Sequence, residues 1–403
     1  MVIRHFIKCA TCGTAHTLRV SVGHNASQEH TFQCVKCGEG ITIRMDIDFQ
    51  KTTTSIICVE NCDNGNEEGT IVNLSAEFPI PTGMLHKDGV FPWMEFMHSH
   101  FNLESAPATL EIGKKKFQDV HLALGGLYEV ANAWVQLKKA WSLHINNKPD
   151  LAVIFLEKYK DITGYKYDIE LDQVLFGFCG ALIRPGKWYL FENVAEKISV
   201  ISQSNPREYN NFKTYYKQEL QFDHAEKYFE VFSNYFKDFS EYNQVLLYSK
   251  NETPIDESFH VSSNNFKSTK MFYGDAFEVI TSSFTVIACL NNILNGRKFD
   301  EFETMNLAKY LTINKANRSN PFADIDCFSV FSKCIDSSIR NASHHKSMKI
   351  NKNDTVMYRS PGKSNWKHMP YIKYLYMCNE IMLNICALQM IELLITYQAK
   401  KNF

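Results

Sequence analysis

The sequence has no uninterrupted membrane-length apolar run, no strong net charge and no phosphate-binding loop, and each absence removes a class of function. The most apolar late segment, YLYMCNEIMLNICALQMIELLIT, is broken by Asn379, Glu380, Asn384, Gln389 and Glu392. A span in hydrocarbon would not carry that many polar groups. Lys and Arg number 43 against 44 Asp and Glu, for a formal charge of −1, so the whole surface is not a polybasic coat for nucleic acid and any such surface is local. Gly125–Gly126 and the RPGK stretch at 184–187 are too short for a Walker loop. The opening MVIRHFIKCATC lacks the apolar core of a secretion signal. No internal repeat or long low-complexity segment interrupts the chain. A cytoplasmic protein that touches no membrane is expected, with its thiols in a reducing compartment.

The chain has 403 residues, 45% of them apolar, with 29 Phe and 19 Tyr. That is enough for two or three domains and a sizeable core. The expected class is α+β, mainly α, in four parts. Residues 1–50 read as a small β-domain, 51–115 as a β-rich extension and linker, 116–255 as a helical middle domain and 256–403 as a helical bundle. In ITIRMDIDF, Ile41, Ile43, Met45, Ile47 and Phe49 alternate with polar residues, the period of a half-buried strand. From about 117 the apolar period becomes helical. Helices are predicted at 151–162, 170–184, 188–202, 208–249, 270–295, 299–312, 322–346 and 370–399. The aromatic wealth of 208–248 reads as core or dimer packing.

Twelve cysteines are present, and four of them form CATCG and CVKCG, pairing Cys9 with Cys12 and Cys34 with Cys37. A two-residue gap lets both thiolates of a pair face one ion, and a Gly after the second Cys suits a tight turn. Four thiolates close a tetrahedral shell with no open position, so a structural Zn2+ is expected and none for catalysis. A segment this small has little core, and metal ligation supplies folding energy on the order of 10 kcal/mol. These residues resemble a zinc ribbon. Cys58 and Cys62 have a three-residue gap and read as ordinary thiols, and Cys179, Cys289, Cys327, Cys334, Cys378 and Cys386 as core. His98 and His100, in MHSH, read as a surface loop.

An Arg with a His five residues on also occurs at Arg19 and His24, so this spacing alone carries nothing. The copy in CIDSSIRNASHHKSMKI differs. Asn341 follows Arg340, and Phe328, Phe331, Ile335 and Ile339 recur at helical spacing before them. Between Arg340 and Lys373 stand Arg340, Lys346, Lys349, Lys352, Arg359, Lys363, Lys367 and Lys373, against one acid, Asp354. Such a run attracts phosphate, and Trp366, Tyr358 and Tyr371 offer stacking platforms. Read blandly, the same residues are a helix C-terminus with cations set against its dipole.

The motif R-N-x-x-x-H, a basic stretch and a long final helix resemble the HEPN family of α-helical proteins over residues 260–403. The resemblance implies a metal-independent RNase with Arg340, Asn341 and His345 as its site, an RNA substrate and a homodimer in which two motifs share one cleft. It further implies a bacterial toxin or abortive-infection effector acting against phage, with the N-terminal region sensing a protein or nucleic-acid trigger. On an uninterrupted helix His344 shares the face of Arg340 while His345 lies about 140° away; family spacing favours His345. Asn341 is placed to orient the ring, and Asp275 and Glu278 to buttress the arginine. Some relatives carry a Tyr two residues after the His as a nucleotidylation target; Ser347 stands there, so that control is not expected. The rival reading is a non-catalytic dimeric scaffold that binds RNA or protein.

Overall fold

The computed structural model describes residues 1–23, 25–92, 127–164, 170–261, 265–351, 354–360, 362 and 365–396. The first long helix within them begins at Leu127; His24, His98, His100, Gly125–Gly126, Lys352 and Lys363 lie outside the described residues. The N-terminal strands are β1 (Val2–Cys9), β2 (Ala15–Ser21), β3 (Ser27–Gln33), β4 (Gly40–Asp48), β5 (Thr53–Glu60), β6 (Cys62–Asn64) and β7 (Thr70–Ser75). They form two sheets, ordered β6-β1-β2-β7 and β3-β4-β5. β7 runs parallel to β2, and the other N-terminal pairings are antiparallel. Ile7, Leu18, Val20, Val72 and Leu74 of the first sheet and Phe32, Ile41, Ile43, Met45 and Ile47 of the second make one apolar cluster. Phe49 departs from the alternation and is 55% exposed. The strand stops at Asp48, whose carboxylate accepts from the backbone N–H of Gln50 and Lys51 and turns the chain. Residue 50 is therefore inside a hairpin, and the 53–75 segment completes the two N-terminal sheets instead of following them.

The helical part comprises α1 (Leu127–Ile145), α2 (Pro149–Thr163), α3 (Leu171–Ile183), α4 (Tyr189–Ser204), α5 (Pro206–Tyr215), α6 (Gln221–Lys237), α7 (Phe239–Lys250), α8 (Phe272–Leu294), α9 (Ser337–His344) and α10 (Tyr371–Thr396), with shorter turns between. One apolar cluster runs from Val130 to Ile395, so no break in the core falls at residue 255. The aromatic stretch 208–248 is core: Phe212, Tyr228, Phe232, Tyr235 and Tyr242 are buried, and Tyr235 stacks on Tyr242 with ring centroids 4.6 Å apart. Cys179, Cys289, Cys378 and Cys386 are buried, while Cys327 and Cys334 are half-buried. Two expected helices are much shorter in the structure. Of 299–312 only Leu307–Thr312 is helical. The 322–346 stretch breaks before α9, where Asp336 is extended (φ −129°, ψ 107°) and its carboxylate accepts from Ser338 N and Ile339 N. An Asp at an N-cap competes with helix continuation and starts a new helix.

Two helical stretches, Phe266–Leu294 and Tyr371–Thr396, are long and apolar enough to cross a membrane by composition, but 83% of each most apolar window is buried inside the protein. Both are therefore placed as core helices. The polar residues of α10 have inward partners. Glu392, 1% exposed, accepts from Tyr216 Oη at 2.8 Å and Tyr228 Oη at 2.7 Å and lies 3.0 Å from His224 Nδ1. Asn379 accepts from Tyr235 Oη at 2.7 Å and donates to Tyr242 O at 2.9 Å. Removing one partner of a buried charged network strands the others without water. Glu392→Ala is therefore expected to cost about 3–5 kcal/mol in urea unfolding. A cost below about 1 kcal/mol would show that water or repacking satisfies the two tyrosines.

The β-region meets the helical part through residues 76–85 and 258–260. Ile80 and His260 exchange both backbone hydrogen bonds, at 2.8 and 2.9 Å, and Asn243 Nδ2 donates to Glu77 Oε2 at 2.9 Å. His30 is fully buried, and neither ring nitrogen has a partner. Burial first, and then His260, push its pKa down to about 3. His260 is half-buried overall, but its Nε2 is sealed from solvent and unpartnered. Desolvation lowers its pKa to about 4 against a bond to the Thr31 carbonyl, and His86 adds to the lowering. A histidine held neutral in the fold takes a proton more readily when unfolded. Stability is therefore unaffected above the unfolded pKa near 6.5 and falls as pH drops below it, down to the folded values. The slope is on the order of 1 kcal/mol per pH unit for each histidine. Urea unfolding from pH 7 to pH 5 should show this loss, with a shallower slope in His30→Leu; equal slopes in the two proteins would refute the assignment.

Candidate active site and metal centre

The four cysteines come from two knuckles built alike. In the first, Gly13 N donates to Cys9 O at 2.8 Å and Cys9 N to Thr14 O at 2.9 Å; in the second, Gly38 N donates to Cys34 O and Cys34 N to Glu39 O, both at 2.9 Å. Gly13 and Gly38 both have φ of +71°, the left-handed region that glycine enters without a Cβ penalty. All four sulfurs lie within 4.8 Å of one another, with Cys9 Sγ 3.7 Å from Cys37 Sγ and Cys12 Sγ 3.6 Å from Cys34 Sγ. A tetrahedron with metal–sulfur bonds of about 2.3 Å has edges of about 3.8 Å, so the cluster can hold a metal ion. His16 Nε2 lies 3.4 Å from Cys34 Sγ and Asn61 Nδ2 is 3.9 Å from Cys9 Sγ, the second-layer hydrogen bonding that orients such ligands. The Thr14 hydroxyl, 3.1 Å from Cys12 Sγ, lowers the pKa of that thiol to about 6. Cys58 and Cys62 stand outside the cluster.

The second constellation is built on α8 and α9. Tyr273 of α8 anchors the approach to α9: its hydroxyl donates to Cys334 O at 2.8 Å and accepts from Asp336 N at 2.7 Å. Ile339 and Ala342 seal the inner face of α9 at 0% exposure. Ser343 Oγ donates to Lys270 O at 2.6 Å. The outer face then presents Arg340 and His344, one turn apart.

Arg340 forms an ion pair with Glu278 of α8 through Nε and Nη2, and its Nη1 donates to Asn341 Oδ1 at 2.8 Å. Lys315 binds the other Glu278 oxygen. Burial works to raise the Glu278 pKa, but Lys315 and Arg340 outweigh it and the carboxyl is held below its usual value. Asn341 thus orients the guanidinium, contrary to the expectation that it orients a histidine. His344 Nε2 lies 4.0 Å from Asp275 Oδ1, and desolvation raises the Asp275 pKa while His344 pulls it down. The His344 ring lies over Gly274: a Cβ there would come within 2.8 Å of His344 Cδ2 and 2.9 Å of Nε2. His345 is the exposed cap residue past the end of α9. The structure therefore brings Arg340, Asn341 and His344 together with Asp275 and Glu278, and it leaves His345 at the rim. The other copy of the spacing is structural: Arg19 donates to the carbonyls of Lys87 and Gly89 and pairs with Asp88.

Behind α9 the basic stretch folds into a small sheet, ordered β10-β9-β8, of β8 (Met348–Ile350), β9 (Thr355–Tyr358) and β10 (Lys367–Pro370). Half-buried Trp366 lies under Lys349 Nζ at 4.8 Å and Arg359 Cζ at 4.7 Å from its ring centroid. Lys367 Nζ reaches Ser338 Oγ at 3.3 Å and ties this sheet to α9. Tyr358 is 7% exposed and Tyr371 0%. Both are core residues and neither can serve as the stacking platform that the sequence suggested. No match is found among protein-family models, curated proteins or solved structures.

Proposed function

We propose that the protein is a metal-independent endoribonuclease of the HEPN kind, with its site on α9. The observation that carries the reading is the shared outer face of Arg340 and His344, each set against a carboxylate of α8 and joined by Lys367 to a cationic sheet bearing Trp366. In the reaction the 2′-oxygen attacks the adjacent phosphorus, the bond to the 5′-oxygen breaks, and a 2′,3′-cyclic phosphate and a 5′-hydroxyl remain. A base removes the 2′-OH proton and an acid supplies one to the departing oxygen. His344 suits the base, since a neutral imidazole nitrogen can accept the proton, and the Asp275 carboxylate 4.0 Å away stands beside the charge that then forms. The acid is His345 or a histidine of a second copy across a two-fold axis, the homodimer that the resemblance implies. Arg340 has five N–H donors, and three of its nitrogens already donate to Glu278 and Asn341. The N–H groups left over are available to phosphate oxygens as charge builds. Trp366 offers a face on which an unpaired base can stack.

The cysteine cluster holds Zn2+ in this reading, since four thiolates in a closed tetrahedron suit that ion and leave no position for substrate. Its part is structural, and the β-region serves as the sensor or substrate guide of a bacterial anti-phage or toxin effector. The occupancy of Arg340 by Glu278 supports a second reading, a dimeric RNA- or protein-binding scaffold in which that arginine is structural. Purified protein mixed with total RNA in EDTA separates the two. Cleavage that disappears in Arg340→Ala supports the enzyme, whereas RNA that is bound yet stays intact supports the scaffold.

A further inference from the structure

Two thiols outside the cysteine cluster meet across one turn. Cys58 lies near the end of β5 and Cys62 opens β6, and both are half-buried. They converge on the same piece of β4. Cys58 stands opposite Ile43 in the strand register, and Cys62 Sγ lies 3.6 Å from the carbonyl oxygen of Thr42, the residue before it. Cys58 Sγ in turn lies 3.8 Å from Oδ1 of Asn64, two residues past Cys62. The thiols are near enough to act on each other: burial first, and then Cys58, push the pKa of Cys62 up to about 12. The turn between them bends at Asn61, whose φ is +54°, and Asn61 clamps both cysteine knuckles. Its carbonyl accepts from Ala10 N at 3.1 Å and its Oδ1 from Thr11 Oγ1 at 2.7 Å, inside the first knuckle. Its Nδ2 donates to Gly40 O at 2.9 Å, just past the second.

We propose that Cys58 and Cys62 are a site of reversible oxidation, closing to a disulfide on contact with a hydroperoxide and so fixing the turn that carries Asn61. The Cys58 thiolate attacks one peroxide oxygen, the O–O bond breaks, and Cys58 is left as a sulfenic acid while the other oxygen leaves and is protonated. The Cys62 sulfur then attacks the Cys58 sulfur. The S–S bond forms, the S–O bond breaks, and the departing hydroxide takes the Cys62 proton and leaves as water. Two thiols and one hydrogen peroxide thus give one disulfide and two waters. Cys58 takes the first step because it borders the exposed Asn64, whereas Cys62 faces the Thr42 carbonyl. Cys179, Cys289, Cys378 and Cys386 are buried away from such an oxidant, and no second thiol acts on Cys327 or Cys334. A closed ring from 58 to 62 restricts the swing of the turn between them, so Asn61 stays on both knuckles and a metal held there leaves more slowly. That last consequence rests on the zinc reading of the cluster; the disulfide does not, and neither rests on the nuclease reading.

The full chain, as purified with its metal, is treated with one equivalent of hydrogen peroxide, capped with iodoacetamide and digested with trypsin. Both cysteines fall in the single fragment 52–87, which has no internal Lys or Arg. That fragment is expected to come out uncapped and lighter by two hydrogens while Cys9, Cys12, Cys34 and Cys37 remain unoxidised, and dithiothreitol should restore it. Cys58→Ser and Cys62→Ser should each abolish the loss of two hydrogens, with circular dichroism of the untreated proteins near wild type. Zinc transfer to a chromogenic chelator should be several-fold slower from the oxidised wild type than from the reduced one, and peroxide should give no such slowing in either variant. Fragment 52–87 capped at both cysteines after peroxide, oxidation that reaches the four cluster cysteines first, or a product that dithiothreitol does not reverse would overturn the disulfide. Zinc transfer at equal rates from the oxidised and reduced wild type would overturn its hold on the knuckles through Asn61.

Discussion

Stripping the proposed Zn2+ from Cys9, Cys12, Cys34 and Cys37 is expected to unfold the strands between residues 2 and 75 and to leave α8 and α10 folded. The two regions have separate apolar clusters, and the smaller one counts Cys9 and Cys34 among its own buried members. A cluster of that size cannot offset the backbone entropy of seven strands without help, and structural Zn2+ contributes on the order of 10 kcal/mol. Hydrogen exchange should show amides of β1, β2 and β4 losing protection after chelation while those of α8 and α10 keep theirs. Cys34→Ser should do the same without a chelator. Metal analysis should return about one zinc per chain. Strand amides that stay protected in a protein proven free of metal would contradict this account of how the β-region is held.

The second large effect belongs to α9. Arg340→Ala and His344→Ala should each lower RNA cleavage by roughly 10²-fold or more, the usual range for a charge-stabilising group or a proton-transfer group. Their consequences for the fold differ. Arg340→Ala leaves Glu278 with Lys315, so the carboxylate keeps a partner and the cost in stability is small. His344 has no close hydrogen bond to lose, its carboxylate neighbour being 4.0 Å away. Gly274→Ala adds a third arm. It removes no reacting atom, but its methyl would displace the His344 ring and crowd the buried Ser343 Oγ at 3.0 Å, so cleavage should fall far more than the modest loss in melting temperature accounts for. A Gly274→Ala protein as active as wild type would place the proton-transferring histidine elsewhere, with His345 next in line.

What the sequence disclosed follows from the range of each interaction. The cysteine knuckles are local, each a C-x2-C with a glycine behind it, and they stand in the structure where that spacing puts them. The alternation of β4 is local too; it fails at Thr42, which is buried on the polar side, and at Phe49, where a side chain-to-backbone turn ends the strand. Other features depend on distant partners. Glu278 meets Arg340 across 62 positions, and nothing in the spacing of either residue identifies the other. The apolar stripe of Phe328, Phe331 and Ile339 was legible, and all three are fully buried. The break within that stripe rests on the single side chain of Asp336. The choice between His344 and His345 turns on where α9 ends, a boundary that spacing does not resolve. The small sheet behind α9 is made of strands of three and four residues, too short for a period to emerge. The polar residues of α10 argued against a membrane span, but their roles as acceptors for Tyr216, Tyr228 and Tyr235 appear only once the helices pack.

The most direct test of the central claim is the end-group chemistry of cleaved RNA. Wild-type protein is mixed with a defined single-stranded RNA in EDTA, and the fragments are separated and mass-measured beside those from Arg340→Ala. The account predicts cleavage by the wild type alone, with 5′ fragments ending in a 2′,3′-cyclic phosphate and 3′ fragments beginning with a 5′-hydroxyl. Fragments bearing 5′-phosphates, a requirement for added metal at the cleavage step, or equal cleavage by Arg340→Ala would contradict it.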